Sequence, residues 1–194
     1  MKIKVGVMGS ADNVLDEGVA DTLREKAEEL GRAIAEHENI VLLTGATTGL
    51  VHTVGKAAHD AGAFHIGISP ASDEREHVER YGLPTDACDA VIHTGFGLKG
   101  RNVVLVRSCD IVLFIRGSMG ALNEFTIAHD EGRIIGCLTS TGGVADEAER
   151  LLQTFPKQTG ACVLHGEDPA RLLAACMEAL EQEARAKEEE GKGR

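Results

Sequence analysis

Residues Asp110 to Glu124 read DIVLFIRGSMGALNE. The five apolar residues Ile111 to Ile115 are too few for a membrane-spanning helix and rich in β-branched types. They predict a strand covered on both faces, as in a parallel sheet. The run stops at Arg116-Gly117-Ser118-Met119-Gly120, and from Ala121 a helical pattern begins, with Leu122, Phe125 and Ile127 or Ala128 on one face. A strand that passes through a glycine turn into a helix leaves backbone N–H groups unpaired at the positive end of the helix dipole. Such an end holds anions. Glu124, in the first turns, is near enough to reach a ligand held there. The plainer alternative is that Gly117 and Gly120 only turn the chain and Glu124 is a solvated acid near a helix start.

Outward from this unit, strand and helix patterns alternate. Ile3 to Met8 forms a first strand that breaks at Gly9-Ser10-Ala11-Asp12. Asp16 or an earlier polar residue caps a helix to about Glu36, whose stripe Val19, Leu23, Ala27, Leu30 and Ile34 faces the sheet. Ile40 to Leu43 runs into Thr44-Gly45-Ala46-Thr47-Thr48-Gly49-Leu50 and a helix to about Ala61. His65 to Ser69 is closed by Pro70, and a long polar stretch follows, ASDEREHVERYGLPTD. That stretch reads as a rim or lid with a short helical piece, or as a solvated excursion without a role. Ala90 to His93 is a fourth strand, and a glycine-rich turn leads to a helix over Arg101 to Ser108. Beyond the central unit come Ile134 to Leu138, a helix from about Asp146 to Phe155, a strand Ala161 to Leu164, and a last helix opened by Asp168-Pro169.

The alternation predicts an α/β protein: a doubly wound parallel sheet of about seven strands with helices on both faces and right-handed crossovers. Ligands bind such sheets beyond the carboxyl ends of the strands, near the switch in strand order. A length of 194 residues suits a single domain over 1–180, with 181–194 as a charged helix end and tail.

Composition bounds the function. Apolar runs are of strand length, so no membrane partner is expected, and MKIKVGVMGS enters a strand without a signal-peptide pattern, which suggests the cytoplasm. The five cysteines are scattered, with no CxxC, and read as free thiols; neither a metal nor a resident cofactor is expected. A net charge of −11 and 3% aromatics argue against a nucleic-acid partner. A small phosphorylated ligand is different, because it needs only a few amides and one or two cations.

Four strand ends supply the candidate site: Gly9-Ser10, Gly45 to Gly49, Gly97 to Arg101, and Gly117 to Glu124. Backbone amides, with the hydroxyls of Thr47, Thr48 and Ser118, suit a phosphate or ribose. Arg101, placed at a positive helix opening, calls for an anionic partner, which is either a ligand or Glu124 itself in an ion pair. Neither GxGxxG with a distant acid nor GxxxxGK[ST] occurs. His52 and His59 lie two turns apart, too far to share a metal. His93, at a strand end, either faces the pocket or is structural, while Cys109 reads as core and Ser10 lacks a nucleophile-elbow context.

Taken together, VGVMGSA, TGATTGLVHTVGKAAHDAG and GRNVVLVRSCDIVLFIRGSMGALNEFTIAHDEGR resemble the Lonely Guy (LOG), or lysine decarboxylase-like, Rossmann family, from the first strand to about Leu138. Its marks are a GGGxxGLM loop, an arginine opening a helix, and PGGxGTxxE. The resemblance implies a Rossmann-like sheet and a homodimer or higher homo-oligomer. For function it implies either a phosphoribohydrolase that cleaves the base from a nucleoside 5′-monophosphate, or a non-catalytic carrier or sensor of a nucleotide or molybdenum-pterin cofactor. The RN pair after Gly100 is closer to the carrier-like branch. The resemblance assigns Arg101 and Glu124 as catalytic. It matches Ser10 to the serine after the first strand and Gly45, Gly49, Gly117 and Gly120 to loop glycines, so that ligand contacts are expected from Gly9, Ser10, Gly45, Thr47, Thr48, Gly49, Gly117, Ser118, Met119, Gly120 and Ala121. The sequence departs from the pattern at Arg116 (for proline), Ser118 (for glycine), Ala121 (for the phosphate-binding threonine), Thr44 and Ala46 (for glycines). Loss of that threonine removes a donor worth on the order of 1–3 kcal/mol to a charged ligand, so that phosphate binding is either weakened, re-formed by Ser118 or Arg116, or directed to another ligand.

Overall fold

A computed structural model describes residues 2–11 and 17–192. Seven parallel strands, β1 (Ile3–Gly9), β2 (Ile40–Thr44), β3 (Phe64–Ser69), β4 (Ala90–His93), β5 (Ile111–Ile115), β6 (Ile134–Leu138) and β7 (Cys162–Gly166), pair in the order β4-β3-β2-β1-β5-β6-β7. The chain moves outward from β1 to β4, then returns with β5 on the other side of β1. The switch in strand order therefore lies between β1 and β5, where Val5 pairs with Ile111 and Gly9 with Ile115.

Among the described residues six α-helices cover the sheet: α1 (Glu17–Ala35), α2 (Gly49–Asp60), α3 (Gly97–Arg107), α4 (Met119–Asp130), α5 (Gly143–Thr154) and α6 (Pro169–Lys192). All five residues of β5 are buried, and their alternation splits the core. Ile111, Leu113 and Ile115 pack with α1, α2 and α6, while Val112 and Phe114 pack with α3, α4 and α5. This is the doubly wound, Rossmann-like arrangement that continuous apolar strands require. No described helix is long and apolar enough to cross a membrane.

Several boundaries differ from the sequence expectation. Helix α3 starts at Gly97, so Arg101 sits one turn inside it and does not open it. Two glycines lower the helix propensity of GLKG, but Leu105 and Val106 are fully buried and packing carries the helix through. Helix α4 likewise begins at Met119 and α5 at Gly143, while β7 is displaced to Cys162–Gly166. Helix α6 continues through most of the segment expected to fray. The expected cap at Asp16 and the turn residue Asp12 lie outside the described residues, as does the side chain of Val19. The polar excursion after β3 holds one π-helical turn, Glu76–Arg80, and is fastened down by His77. That residue is fully buried, 2.8 Å from Ser69 Oγ and 3.1 Å from the Pro84 carbonyl.

Helices α1 and α2 cross where Gly31 lets them meet. A Cβ there would lie 2.5 Å from the Val54 carbonyl oxygen and 2.8 Å from Ala57 Cβ. Glycine to alanine inside a helix normally stabilises by about 1 kcal/mol. Here overpacking reverses the sign, and Gly31→Ala will show a net loss of about 1–3 kcal/mol in urea denaturation.

Candidate functional site

The carboxyl ends of β1, β2 and β5 and the N-termini of α2, α3 and α4 enclose a cleft of about 180 Å³. None of those three helices carries an acid in its first turn. Thr48 and Ser118, the N-cap residues of α2 and α4, make no side-chain cap bond, so the helix-end amides are not occupied by their own caps. Three positive helix ends thus face one space with no carboxylate from their own first turns to neutralise them.

Arg101 is the main feature of the wall. It is only 5% exposed, and its guanidinium presses its Nη1 edge against Gly45: a Cβ on Gly45 would fall 1.6 Å from Nη1 and 2.7 Å from Cζ. Among the described residues its Nε and Nη1 have no hydrogen-bond partner. The ion pair with Glu124 does not form, and the two groups attract only through space. Burial lowers the Arg101 pKa, and Glu124 partly restores it. A buried guanidinium with unpaired nitrogens costs several kcal/mol, and an anion in the cleft offsets that cost.

Glu124 is 7% exposed, so it is not a solvated acid. Burial pushes its carboxyl up to about 7, against the pull of Arg101 and Lys99. Asn102, itself buried, is assigned with its amide nitrogen toward Glu124, donating to Oε1 at 3.0 Å and to the Leu98 carbonyl at 2.9 Å, which requires the neighbouring Asn123 amide to present its nitrogen to the Asn102 oxygen at 2.9 Å. In the opposite orientation its oxygen would face two acceptors. That bond favours the carboxylate and ties α3 to α4. Lys99 reaches across to α4, where a Cβ on Gly120 would be 3.9 Å from Nζ.

Of the residues expected at the site, Gly9, Gly45, Thr47, Arg101, Ser118, Gly120, Ala121 and Glu124 line the cleft. Others shape it from behind. The Ser10 carbonyl accepts the Leu50 N–H at 3.1 Å, and Gly49 (φ +72°) passes so close to it that a Cβ would lie 2.5 Å away. Thr48 turns aside and donates to the Ala11 carbonyl at 2.9 Å. Gly117, at φ +101°, makes the turn after Arg116, while Met119 is 74% exposed and faces away. Arg116 does not line the cleft. Its φ of +57° and its N–H bond to Thr141 Oγ1 at 2.8 Å are both impossible for proline, and its side chain reaches the Thr141 carbonyl. Nothing from 70–86 lines the cleft, and neither does His93, whose ring packs edge-on against His77. His52 is paired with Asp86, all five cysteines are free, and no metal-binding cluster occurs among the described residues.

Lys99 lies within the expected Gly97 to Arg101 stretch and lines the cleft, as does Asn102, which falls just outside that stretch. Asn102 was visible in the RN pair, but nothing local showed that its amide reaches Glu124.

Residues 2–173 match the model of the SLOG cluster4 family. The chain belongs to that family. A protein of Archaeoglobus fulgidus described only as uncharacterized is 29% identical over 161 residues, 83% of this chain and 95% of that protein. The X-ray structure of TM1055 shares the fold (TM-score 0.79, 24% identity, 92% of this chain and 99% of that one). The molybdenum cofactor carrier protein of Chlamydomonas reinhardtii is 27% identical with a TM-score of 0.72, over 93% of this chain and 99% of that one. The molybdenum cofactor binding protein of Rippkaea orientalis is 25% identical with a TM-score of 0.72, over 93% and 98%.

Two outcomes follow for this SLOG protein. Gly45→Ala will lift the guanidinium off the loop, and residue-resolved mass spectrometry after phenylglyoxal treatment will show Arg101 modified faster than in the parent. Glu124→Gln will change stability in a pH-dependent way. The folded-state carboxyl value of about 7 lies above the unfolded value, so the stability it contributes is full below about 4.5 and is lost as pH rises through 7. The carboxylate is therefore a burden at pH 8, and Glu124→Gln will raise stability there by about 2–3 kcal/mol, with no gain at pH 4, read by denaturant titration at both values.

Proposed function

We propose that this protein binds a phosphorylated small molecule, a nucleoside monophosphate or a phosphorylated pterin, and holds it intact as a carrier or sensor. The observation that carries this reading is the buried guanidinium of Arg101, whose Nε and Nη1 have no partner among the described residues, in a cleft rimmed by three helix N-termini. Arg101 and Lys99 face the phosphate, and amides of the Gly45–Gly49 and Gly117–Ala121 loops complete the cradle. The cleft, about 180 Å³, is smaller than the roughly 300–1,000 Å³ of pockets that enclose a drug-sized ligand. It takes the phosphorylated end and leaves the ring system at the mouth beside Leu98. Likeness to two proteins named for molybdenum cofactor supports the carrier reading.

The meeting of Arg101 and Glu124 in one cleft favours a second reading, LOG-type phosphoribohydrolysis. In that reaction water adds to the anomeric carbon, the base leaves with a proton, and an ionised Glu124 stabilises the cationic sugar. Two features weigh against it. Ala121 offers no hydroxyl to the phosphate, and a carboxyl near 7 is only partly ionised at neutral pH.

Thermal denaturation with AMP, GMP, CMP, molybdopterin and inorganic phosphate, with chromatography for free base, separates the readings. A saturable rise in Tm with intact ligand supports the carrier, free base supports the hydrolase, and no shift with any of the five overturns both. Arg101→Met will abolish the ligand-dependent rise while leaving the free protein at least as stable as the parent, because it removes a buried charge without removing bulk.

A further inference from the structure

The first loop carries side chains at Thr44 and Ala46, and Ala46 sits at φ +48°, a left-handed conformation in which a Cβ is unfavourable. Its N–H donates to Thr44 Oγ1 at 3.1 Å. The same hydroxyl lies 2.8 Å from Nε2 of His65 on β3, whose Nδ1 is held against the Ala87 carbonyl. A carbonyl can only accept, so Nδ1 carries the proton and Nε2 is the acceptor. The Thr44 hydroxyl must then donate to Nε2 while accepting from Ala46, and each group in the chain is satisfied. His65 is 2% exposed, and burial holds its imidazole down to about 4. His59 and His52 also lower it, and the Ala87 bond and Asp89 only partly oppose them, so the acceptor nitrogen stays free of a second proton at neutral pH. Two glycines leave the room: a Cβ on Gly55 would lie 2.6 Å from His65 Cε1, and one on Gly67 2.8 Å from Ala46 Cβ.

The device recurs at the next strand end. Ser69 Oγ accepts the Ala71 N–H at 3.0 Å and lies 2.8 Å from His77, which bonds the Pro84 carbonyl. That copy fastens the polar excursion, whereas the Thr44 copy stands behind the wall on which Arg101 rests.

We propose that Thr44 and His65 are positioning residues for the cleft: the chain from Ala46 through Thr44 and His65 to Ala87 fixes the first loop so that Gly45 presents its bare Cα to the Arg101 guanidinium. Only the affinity arm of the test below rests on the ligand-binding proposal.

The variants are Thr44→Val, Thr44→Ser, His65→Gln and His65→Asn. Glutamine places an acceptor near the Nε2 position, and asparagine keeps only a donor toward Ala87. The readouts are hydrogen exchange at the Ala46 amide, phenylglyoxal modification of Arg101 with Gly45→Ala as the displaced reference, and calorimetric affinity for AMP. Thr44→Val and His65→Asn will speed Ala46 exchange and weaken AMP binding by about tenfold each, and will raise Arg101 modification toward that of Gly45→Ala. Amides of β1 and β5 will stay protected, and Thr44→Ser and His65→Gln will recover most of each effect. Parental exchange and modification in Thr44→Val overturn the proposal, as does equal loss in the valine and serine variants. If the parent protein does not bind AMP, exchange and modification still decide the positioning role, and the failure falls on the ligand reading. Should Thr44→Val not fold, the His65 pair gives the same decision.

Discussion

A buried guanidinium resting on a bare Cα is the constraint from which the site follows. Arg101 has lost its water, and Glu124, the acid that attracts it, stops short of contact. Burial drives both groups toward their neutral forms, lowering the arginine and raising the glutamate to about 7. Two charges attracting through space at an effective dielectric near 20 recover only part of two desolvation penalties. The free cleft is thus a strained electrostatic arrangement, and an anion that reaches Nε and Nη1 relieves it. Preorganisation of this kind costs folding stability and returns as binding energy.

The sheet topology explains how such a side chain comes to be held there. The strand order reverses between β1 and β5, so the loops after these strands diverge and leave a crevice. Close packing keeps the crevice narrow: a Cβ on Gly9 would lie 2.4 Å from the Ile115 carbonyl oxygen. Helices α3 and α4 cover the same face of the sheet, and the Asn102–Glu124 bond joins them at the cleft. Hydroxyls at strand ends then set the loops. Thr44 and Ser69 each bind the amide two residues on, and Thr141 receives the Arg116 N–H from the neighbouring strand end.

Much of this was legible in the sequence, for a physical reason. Parallel strands buried on both faces are written as unbroken apolar runs, so Ile111–Ile115 and Ile134–Leu138 declare themselves, and the helices between them follow from their stripes. Glycines after the strands mark the loops. The burial of Glu124 was also written there: Ala121, Glu124, Phe125 and Ala128 form an i, i+3, i+4, i+7 stripe, and all four are buried. Phe125 and Ala128 stand on the apolar face that the pattern marks, with Leu122 and Ile127 partly buried at its edge, and a charged residue between them is what a reading by hydrophobicity passes over. Other features had no local signature. The left-handed Arg116 depends on Thr141, 25 residues away, and the Thr44–His65 bond spans 21. Such contacts exist only once the strands are side by side.

An anion site in a chain of net charge −11 needs no special compensation. At physiological ionic strength charges are screened over about 8 Å, so acids on distant surfaces scarcely register inside the cleft. An anion there is attracted by Lys99, Arg101 and three helix ends without acids in their first turns, and opposed by the ionised fraction of Glu124. The surrounding acidic surface still acts on anything too large for the cleft. On the proposed ligand reading, a polyanion spreads its phosphates over many screening lengths, whereas a single phosphomonoester stays within reach of Lys99 and Arg101. On that reading, this charge distribution favours a small phosphorylated molecule over a polyanion, and the discrimination is by size.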